Sequence, residues 1–285
     1  MAQVSSAASL VAQAARALTG SGSRNPAGEA RLLLAHVLGR RPAELVLVGA
    51  VDPADRARFT GLVDRRAAGV PLQHLTGRSY FRHVELEVGP GVFVPRPETE
   101  VMTGWAVDRL AALPGSPVAV ELGTGSGAIA KALATEVPGC EVHAVELSPE
   151  AHAYASRNLI GTGVDLRLGD MADAFADLDG TVDLVIANPP YIPLEAWESV
   201  PADVRDFDPH VALFSGDDGL DAMRVVSRAA ARLLRPAGRL CAEHAEVQHE
   251  SAPRVLVRSG EFTEVRDHLD LTGRYRFVTA VRTTT

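Results

Sequence analysis

At 285 residues, 46% hydrophobic and 22% charged, the chain holds one large or two ordinary globular domains, which excludes a disordered, collagenous or coiled-coil protein. No apolar run reaches 18 residues, no signal-peptide pattern opens the chain, and Cys140 and Cys241 stand far apart, so a membrane span and a disulfide framework are excluded and a cytoplasmic protein is expected. The net charge of −8 is uneven: ten arginines against five acids give residues 1–80 a local +5, and the remaining eighteen bases against thirty-one acids give −13. The acidic body repels nucleic acid; the basic end either docks on an acidic partner or is a solvated face.

In chain order, the first 75 residues read as helices. Val4, Ala8, Val11, Ala15 and Leu18 recur at helical spacing. Gly20-Ser21-Gly22-Ser23 breaks that helix, Asn25-Pro26 opens the next, and Gly39 stops it. Shorter helices are predicted at 42–48 and 53–68. Further on, Val84, Leu86 and Val88 alternate with His83, Glu85 and Glu87, and Gly89-Pro90-Gly91 turns the chain into Val92-Phe93-Val94, a pattern that predicts a β-hairpin. Pro95-Arg96-Pro97 ends it, and a helix runs from Glu98 to about residue 112. Arg96 is expected to pair with Glu98 or Glu100 or to brace the segment at Asn188, bracing being favoured.

From 115 to 282, apolar strands alternate with amphipathic helices. Strands are predicted at 117–122, 141–146, 164–168, 182–187, 237–243, 262–268 and 274–282. Helices are predicted at 127–136, 149–159, 217–234 and 246–258. Alternating βα units imply a parallel sheet with helices on both faces. The last two strands, joined by Leu271-Thr272-Gly273, are expected to pair antiparallel. Both cysteines lie in or beside apolar strands and read as small core residues.

The chemistry sits at strand ends. Glu121-Leu122-Gly123-Thr124-Gly125-Ser126-Gly127 follows the first strand of this region. Its glycines permit a tight turn and close approach of a ligand, yet the pattern is neither the dinucleotide G-x-G-x-x-G nor a phosphate-cradling P-loop. A carboxylate at this position, Glu121, disfavours a phosphate and suits a ligand with a positive centre. Glu146, 21 residues after Gly125, is placed to accept hydrogen bonds from a ribose diol. Asp170 and Met171 follow the next strand; they serve an adenine ring or are an ordinary loop cap. Asn188-Pro189-Pro190-Tyr191 carries the sharpest signal. The prolines stiffen it and remove N–H donors, so it presents carbonyls and the Asn188 side-chain oxygen as acceptors. Two such acceptors hold both N–H groups of a planar NH₂, Tyr191 flanks it, and the nitrogen lone pair becomes available to an electrophilic methyl. No metal-ligand pattern is present: His244 and His249 are five apart, off a common helix face.

These residues resemble the class I S-adenosylmethionine-dependent methyltransferases. More closely, they resemble the bacterial release factor glutamine N5-methyltransferases, the PrmC/HemK family. The likeness runs nearly end to end, through GEARLLLAHVLG near residue 30, PLQHLTGRSYF at 71–81, GVFVPRPETE at 91–100, ELGTGSGAIA, NPPYI, DPHVALFSGDDGLDAMR at 208–224 and the final DLTGRYRFV. It implies an α/β fold: a doubly wound, mostly parallel seven-stranded sheet with an N-terminal helical bundle joined by a β-hairpin. The implied domains are a substrate-docking unit at 1–75, the hairpin linker at 76–98 and a donor-binding domain at 99–285. The implied donor is S-adenosyl-L-methionine, leaving as S-adenosyl-L-homocysteine. Glu121, Gly123, Thr124, Gly125, Ser126 and Gly127 would line its methionine and ribose, Glu146 would take the ribose hydroxyls, Asp170 with Met171 the adenine, and Asn188 would also border the donor. Asn188 and Pro189 would grip the glutamine of a Gly-Gly-Gln loop in a class I peptide chain release factor, with Pro190, Tyr191 and Phe93 lining the pocket. The implied protein is monomeric, without stable nucleic-acid or membrane binding. Glu121 replaces a commoner Asp, Met171 a commoner aromatic residue, and Glu243-His244-Ala245 a glycine-containing turn.

Two rivals follow from the same residues. An N6-adenine methyltransferase uses the same NH₂ chemistry, but needs a basic strand-following surface that the −13 body lacks. A non-catalytic docking module would not need an intact Asn188-Pro189-Pro190-Tyr191.

Overall fold

The computed structural model describes residues 6–23, 25–199 and 205–284. Its contacts divide into two compact units, Met1–Arg78 with Pro201–Phe207, and Ser79–Val200 with Asp208–Thr285.

The first unit is helical. Helix Ala7–Leu18 starts where the Ser6 side chain accepts from the Ser9 N–H. Helix Pro26–Leu38 is capped by Asn25, has Pro26 in its first turn and ends at a left-handed Gly39. A 3₁₀ turn at Pro42–Leu47, a helix at Pro53–Ala67 and a short helix at Leu72–Thr76 complete it. The expected stripe of the first helix is corrected. Val4 lies outside the described residues, Ala8 is exposed, and the buried face is Ala7, Leu10, Ala14 and Leu18. Two neighbouring rows of this helix are both apolar, and the row carrying the larger Leu10 takes the core.

The second unit opens with a two-stranded hairpin, β1 (Arg78–Phe81) and β2 (Val84–Glu87). The alternation at 84–87 is as expected, but the partner strand precedes it and Val92-Phe93-Val94 is not a strand. Arg82 makes the turn at φ 50°, held by Glu136 at 2.7 and 2.6 Å. Val92 and Val94 are buried in irregular chain between prolines that have no N–H for a ladder.

The large sheet contains β3 (Val118–Leu122), β4 (Glu141–Glu146), β5 (Asp165–Leu168), β6 (Val182–Ala187), β7 (Leu234–Glu243), β8 (Phe262–Leu269) and β9 (Tyr275–Arg282), close to the predicted strands. Their order is β5-β4-β3-β6-β7-β9-β8, parallel through β7 and antiparallel for the last two, as the sequence implies. Helices at Thr99–Ala111, Ala128–Glu136, Pro149–Asn158, Asp221–Leu233 and Ser251–Ser259 accompany it. Separate apolar cores include Leu133 and Ile129 in one, and Val226 and Leu233 in the other. Cys241 is fully buried, as expected; Cys140 is half-buried.

The chain runs from β3 to β4 and β5 on one side, then returns to β6 on the other. The switch point therefore lies between β3 and β6, where an open α/β sheet leaves a crevice at its strand ends. Leu122 pairs with both Val145 and Ala187, and Ala187 with Ala242. The segments starting at Gly123 and Asn188 thus leave the sheet at one level, beside Glu243, the last residue of β7. Among the described residues, no helix is long and apolar enough to cross a membrane.

Candidate active site

The loop after β3 is a tight turn built on three left-handed glycines, Gly123, Gly125 and Gly127, at φ 75°, 57° and 83°. Both the Gly123 and Thr124 N–H groups donate to the Val145 carbonyl at 3.0 Å. An added Cβ at Gly123 or Gly125 would meet nothing within 4 Å, so space in front of the turn is open. At Gly127 it would press on Leu159 at 3.2 Å, so this glycine serves helix packing.

Glu146 ends β4 beside this turn. Its Oε2 accepts from the Gly125 N–H at 2.7 Å and its Oε1 from the Ser148 N–H at 2.8 Å. Ser148 in turn caps the following helix through the Ala151 N–H, with Pro149 in the first turn. Glu121 is directed differently. It is 1% exposed, and its Oε2 accepts from Thr124 Oγ1 at 2.6 Å and from the Ala130 N–H at 2.8 Å. Burial raises its pKa to about 8, with Glu146 adding to the rise, so it is largely neutral at pH 7. The carboxylate expected to face a cationic centre is tied into the turn that presents the glycines. Ser126 is buried, and its carbonyl accepts from Asn158 Nδ2 at 2.8 Å. Asp170 is exposed and caps the Ala172 N–H through Oδ1 at 2.9 Å. Met171 is half-buried against the core that contains Val145, Phe175 and Val226.

The loop after β6 carries Asn188, Pro189, Pro190 and Tyr191. Pro189 is buried, and the other three are half-buried. Asn188 Nδ2 donates to Thr99 Oγ1 at 3.2 Å, and Thr99 Oγ1 donates to Glu243 Oε2 at 2.7 Å. Burial pushes the Tyr191 phenol pKa upward, and the charge of Glu243 adds to the rise. Gln248, itself buried, donates from Nε2 to the Tyr191 carbonyl at 3.0 Å. Arg96 pairs with Asp208 at 2.6 Å, and its guanidinium lies 5.0 Å over the Phe93 ring. It hydrogen-bonds neither Glu98 nor Glu100, and the Asp208 pairing was not among its expected partners. No group of three metal-ligating side chains is assembled among the described residues.

Thus the sheet register brings the glycine turn, Glu146 and the Asn188 loop to one crevice. Phe93 is engaged by Arg96 through the cation–π contact. Thr99, Glu243 and Gln248 were not assigned from sequence. Glu243 ends an apolar strand as Glu146 does, but no glycine turn stands at a fixed spacing before it to single it out.

The description "PrmC N-terminal domain" matches residues 9–77, and "Methyltransferase domain" matches residues 119–207. The chain is 52% identical over 271 residues to the release factor glutamine methyltransferase of Streptomyces coelicolor, spanning 95% of this chain and 96% of the relative. The chain belongs to the release factor glutamine methyltransferase family. A member from Mycolicibacterium smegmatis is 46% identical, spanning 93% of this chain and 94% of the relative. The chain is also similar to a relative named for a different acceptor. A 4-amino-L-phenylalanine/4-methylamino-L-phenylalanine methyltransferase of Streptomyces pristinaespiralis is 42% identical, spanning 86% of this chain and 85% of the relative.

Proposed function

We propose that the protein transfers a methyl group from S-adenosyl-L-methionine to the side-chain amide nitrogen, N5, of the glutamine in the Gly-Gly-Gln loop of class I release factors. The observation that carries this reading is the acceptor loop at Asn188, standing at the switch point level with the glycine turn, in a chain 52% identical to a release factor glutamine methyltransferase.

The residues at the crevice fit that donor. Open space before Gly123 and Gly125 admits a chain lying close to the backbone. Glu146, held by two backbone N–H groups, offers its remaining lone pairs to a diol. No phosphate-cradling loop is present, which suits a nucleoside without phosphate. When bound, the donor supplies a methyl on a positively charged sulfur, which the substrate nitrogen attacks as the C–S bond breaks and a proton leaves the nitrogen. Asn188 Oδ1 and the Pro189 carbonyl accept the two N–H groups of the substrate amide and hold its lone pair toward the methyl. Tyr191 and Phe93 wall the glutamine side chain. The helical unit, basic by composition, docks the body of the release factor.

The test is mass spectrometry of a purified unmethylated release factor incubated with the protein and donor. One methyl on the Gly-Gly-Gln glutamine, lost in Asn188→Ala, supports the reading. Transfer to nucleic acid instead would favour the adenine rival. The Streptomyces pristinaespiralis relative favours a second reading, an arylamine amino acid as acceptor. Methylation of free 4-amino-L-phenylalanine, with none on the release factor, would select it.

A further inference from the structure

Asn188 is useful to an NH₂ group only in one of its two orientations. The carboxamide oxygen accepts an N–H; the carboxamide nitrogen, itself a donor, repels one. The two ends have nearly the same shape, so packing alone does not choose between them. The choice is made by the group that Nδ2 meets, the Thr99 hydroxyl at 3.2 Å. A hydroxyl either donates or accepts, and Thr99 is itself committed by Glu243, whose Oε2 takes its proton at 2.7 Å. Thr99 and Glu243 are both buried, with Thr99 3% and Glu243 1% exposed.

We propose that Thr99 and Glu243 are positioning residues that lock the Asn188 carboxamide with its oxygen toward the substrate nitrogen. This rests on the function proposed above, in which Asn188 grips the acceptor NH₂. An ionised Glu243 only accepts, so it compels the Thr99 O–H toward itself. Thr99 is left with lone pairs alone for Asn188, and Nδ2 turns to it. The same carboxylate acts on the Tyr191 phenol, each shifting the other's titration, so one group bears on both side chains of the acceptor loop.

The lock is conditional on charge. Burial raises the Glu243 pKa to about 7; Thr99, Arg276 and Tyr191 pull it down, and Glu98 pushes it up. These groups face it from the helix at Thr99–Ala111 and the residue before it, from the loop after β6 and from β9. His244, the next residue in the chain, is engaged by Asp267 at 2.9 Å. Below about pH 7 the protonated carboxyl can itself donate to Thr99. The Thr99 hydroxyl is then released to donate to Asn188, and the amide loses its preferred orientation.

The chain has three asparagines, Asn25, Asn158 and Asn188, so selective ¹⁵N labelling gives three side-chain NH₂ pairs in the full-length protein. The expected result is that the Asn188 pair shifts with a midpoint near 7, the Glu243 value, and that Thr99→Val and Glu243→Gln abolish the titration. In single-turnover methylation, Thr99→Val is expected to lower the rate about 10- to 100-fold, because the group that holds the substrate nitrogen is no longer fixed in orientation, with donor affinity unchanged. Thr99→Ser should restore the rate, and Glu243→Gln should flatten its fall below neutral pH. An Asn188 pair that does not titrate in the wild type, or a Thr99→Val rate within about twofold of it, overturns the lock whether or not glutamine is methylated. A pair that titrates through Thr99 in a protein that methylates no glutamine keeps the lock and overturns the substrate.

Discussion

The turn after β3 is held by its immediate surroundings. Its N–H groups donate to Val145 and Glu146 on the neighbouring strand, and Glu121, two residues before its first glycine, ties in Thr124 and Ala130. The loop after β6 is held from far along the chain. Thr99 lies 89 residues from Asn188, Glu243 lies 144 from Thr99, and Gln248 lies 57 from Tyr191. On the proposed function, the donor side of the crevice is thus a property of one βαβ unit, whereas the acceptor side exists only when the whole sheet has closed. A locally held turn can change its ligand contacts without disturbing the acceptor loop. The acceptor loop transmits every defect in its distant supports.

The largest expected effect isolates the acceptor side. Asn188→Ala removes the side-chain acceptor and should lower kcat by about 10²- to 10³-fold. Donor binding, followed by calorimetry, should stay within about twofold, because Glu146 and the glycine turn do not rest on Asn188. A parallel loss of donor affinity would break the division between the two sides.

Glycine substitutions sharpen the comparison. Gly219 sits at φ 72°, and a Cβ there would lie 2.3 Å from the Tyr191 carbonyl and 2.7 Å from Gln248 Nε2. Gly219→Ala must displace the backbone of the acceptor loop, in addition to adopting a left-handed conformation. It should cost roughly 3 kcal/mol of stability in urea unfolding and reduce turnover. Gly125→Ala meets open space and bears only the conformational cost, about 1 kcal/mol. Its main expected effect is weaker donor binding, because the new methyl enters the space before the turn. Equal stability losses for the two would mean that the acceptor loop yields more easily than its contacts imply.

The same contrast explains what could be read from the chain. The glycine turn was legible because three left-handed positions demand glycine, and Glu146 because strand and turn are neighbours in sequence. Asn188 was legible from the stiffness of its prolines. Thr99 and Glu243 were not, because a threonine opening a helix and a glutamate ending a strand are ordinary until the sheet brings them within 2.7 Å. The hairpin was misassigned for a related reason: Arg82 turns the chain at φ 50° without a glycine, stabilised by Glu136 from a distant helix. The buried face of the first helix was placed one row away because small apolar residues occupy both rows. Strand order is different again. Alternating βα units and the final turn gave a mostly parallel sheet with an antiparallel end, and that is the observed topology.

The smallest expected effect concerns the carboxyl inside the glycine turn. Glu121 has a pKa of about 8 in the folded chain against 4.5 when exposed, through burial. The folded state therefore binds its proton more tightly than the unfolded state. The contribution to stability is complete below about pH 4.5 and is lost progressively as pH rises toward 8. Glu243 acts in the same direction over a window ending near 7. Carboxylates with lowered pKa, such as Asp270 with its Thr272 and backbone hydrogen bonds, act in the opposite direction and at lower pH. Comparing Glu121→Gln with the wild type cancels those groups and leaves Glu121. The glutamine oxygen can still accept from Thr124 Oγ1 and the Ala130 N–H, so below about pH 4.5, where folded and unfolded chains both hold the Glu121 proton, the two proteins should melt together. At about pH 8 the wild type carries part of a buried negative charge beside Glu146 and the variant carries none, so the variant should melt higher. A variant that melts lower at both values would mean that the carboxyl is charged and supported in the fold, and would return Glu121 to the donor side as a carboxylate.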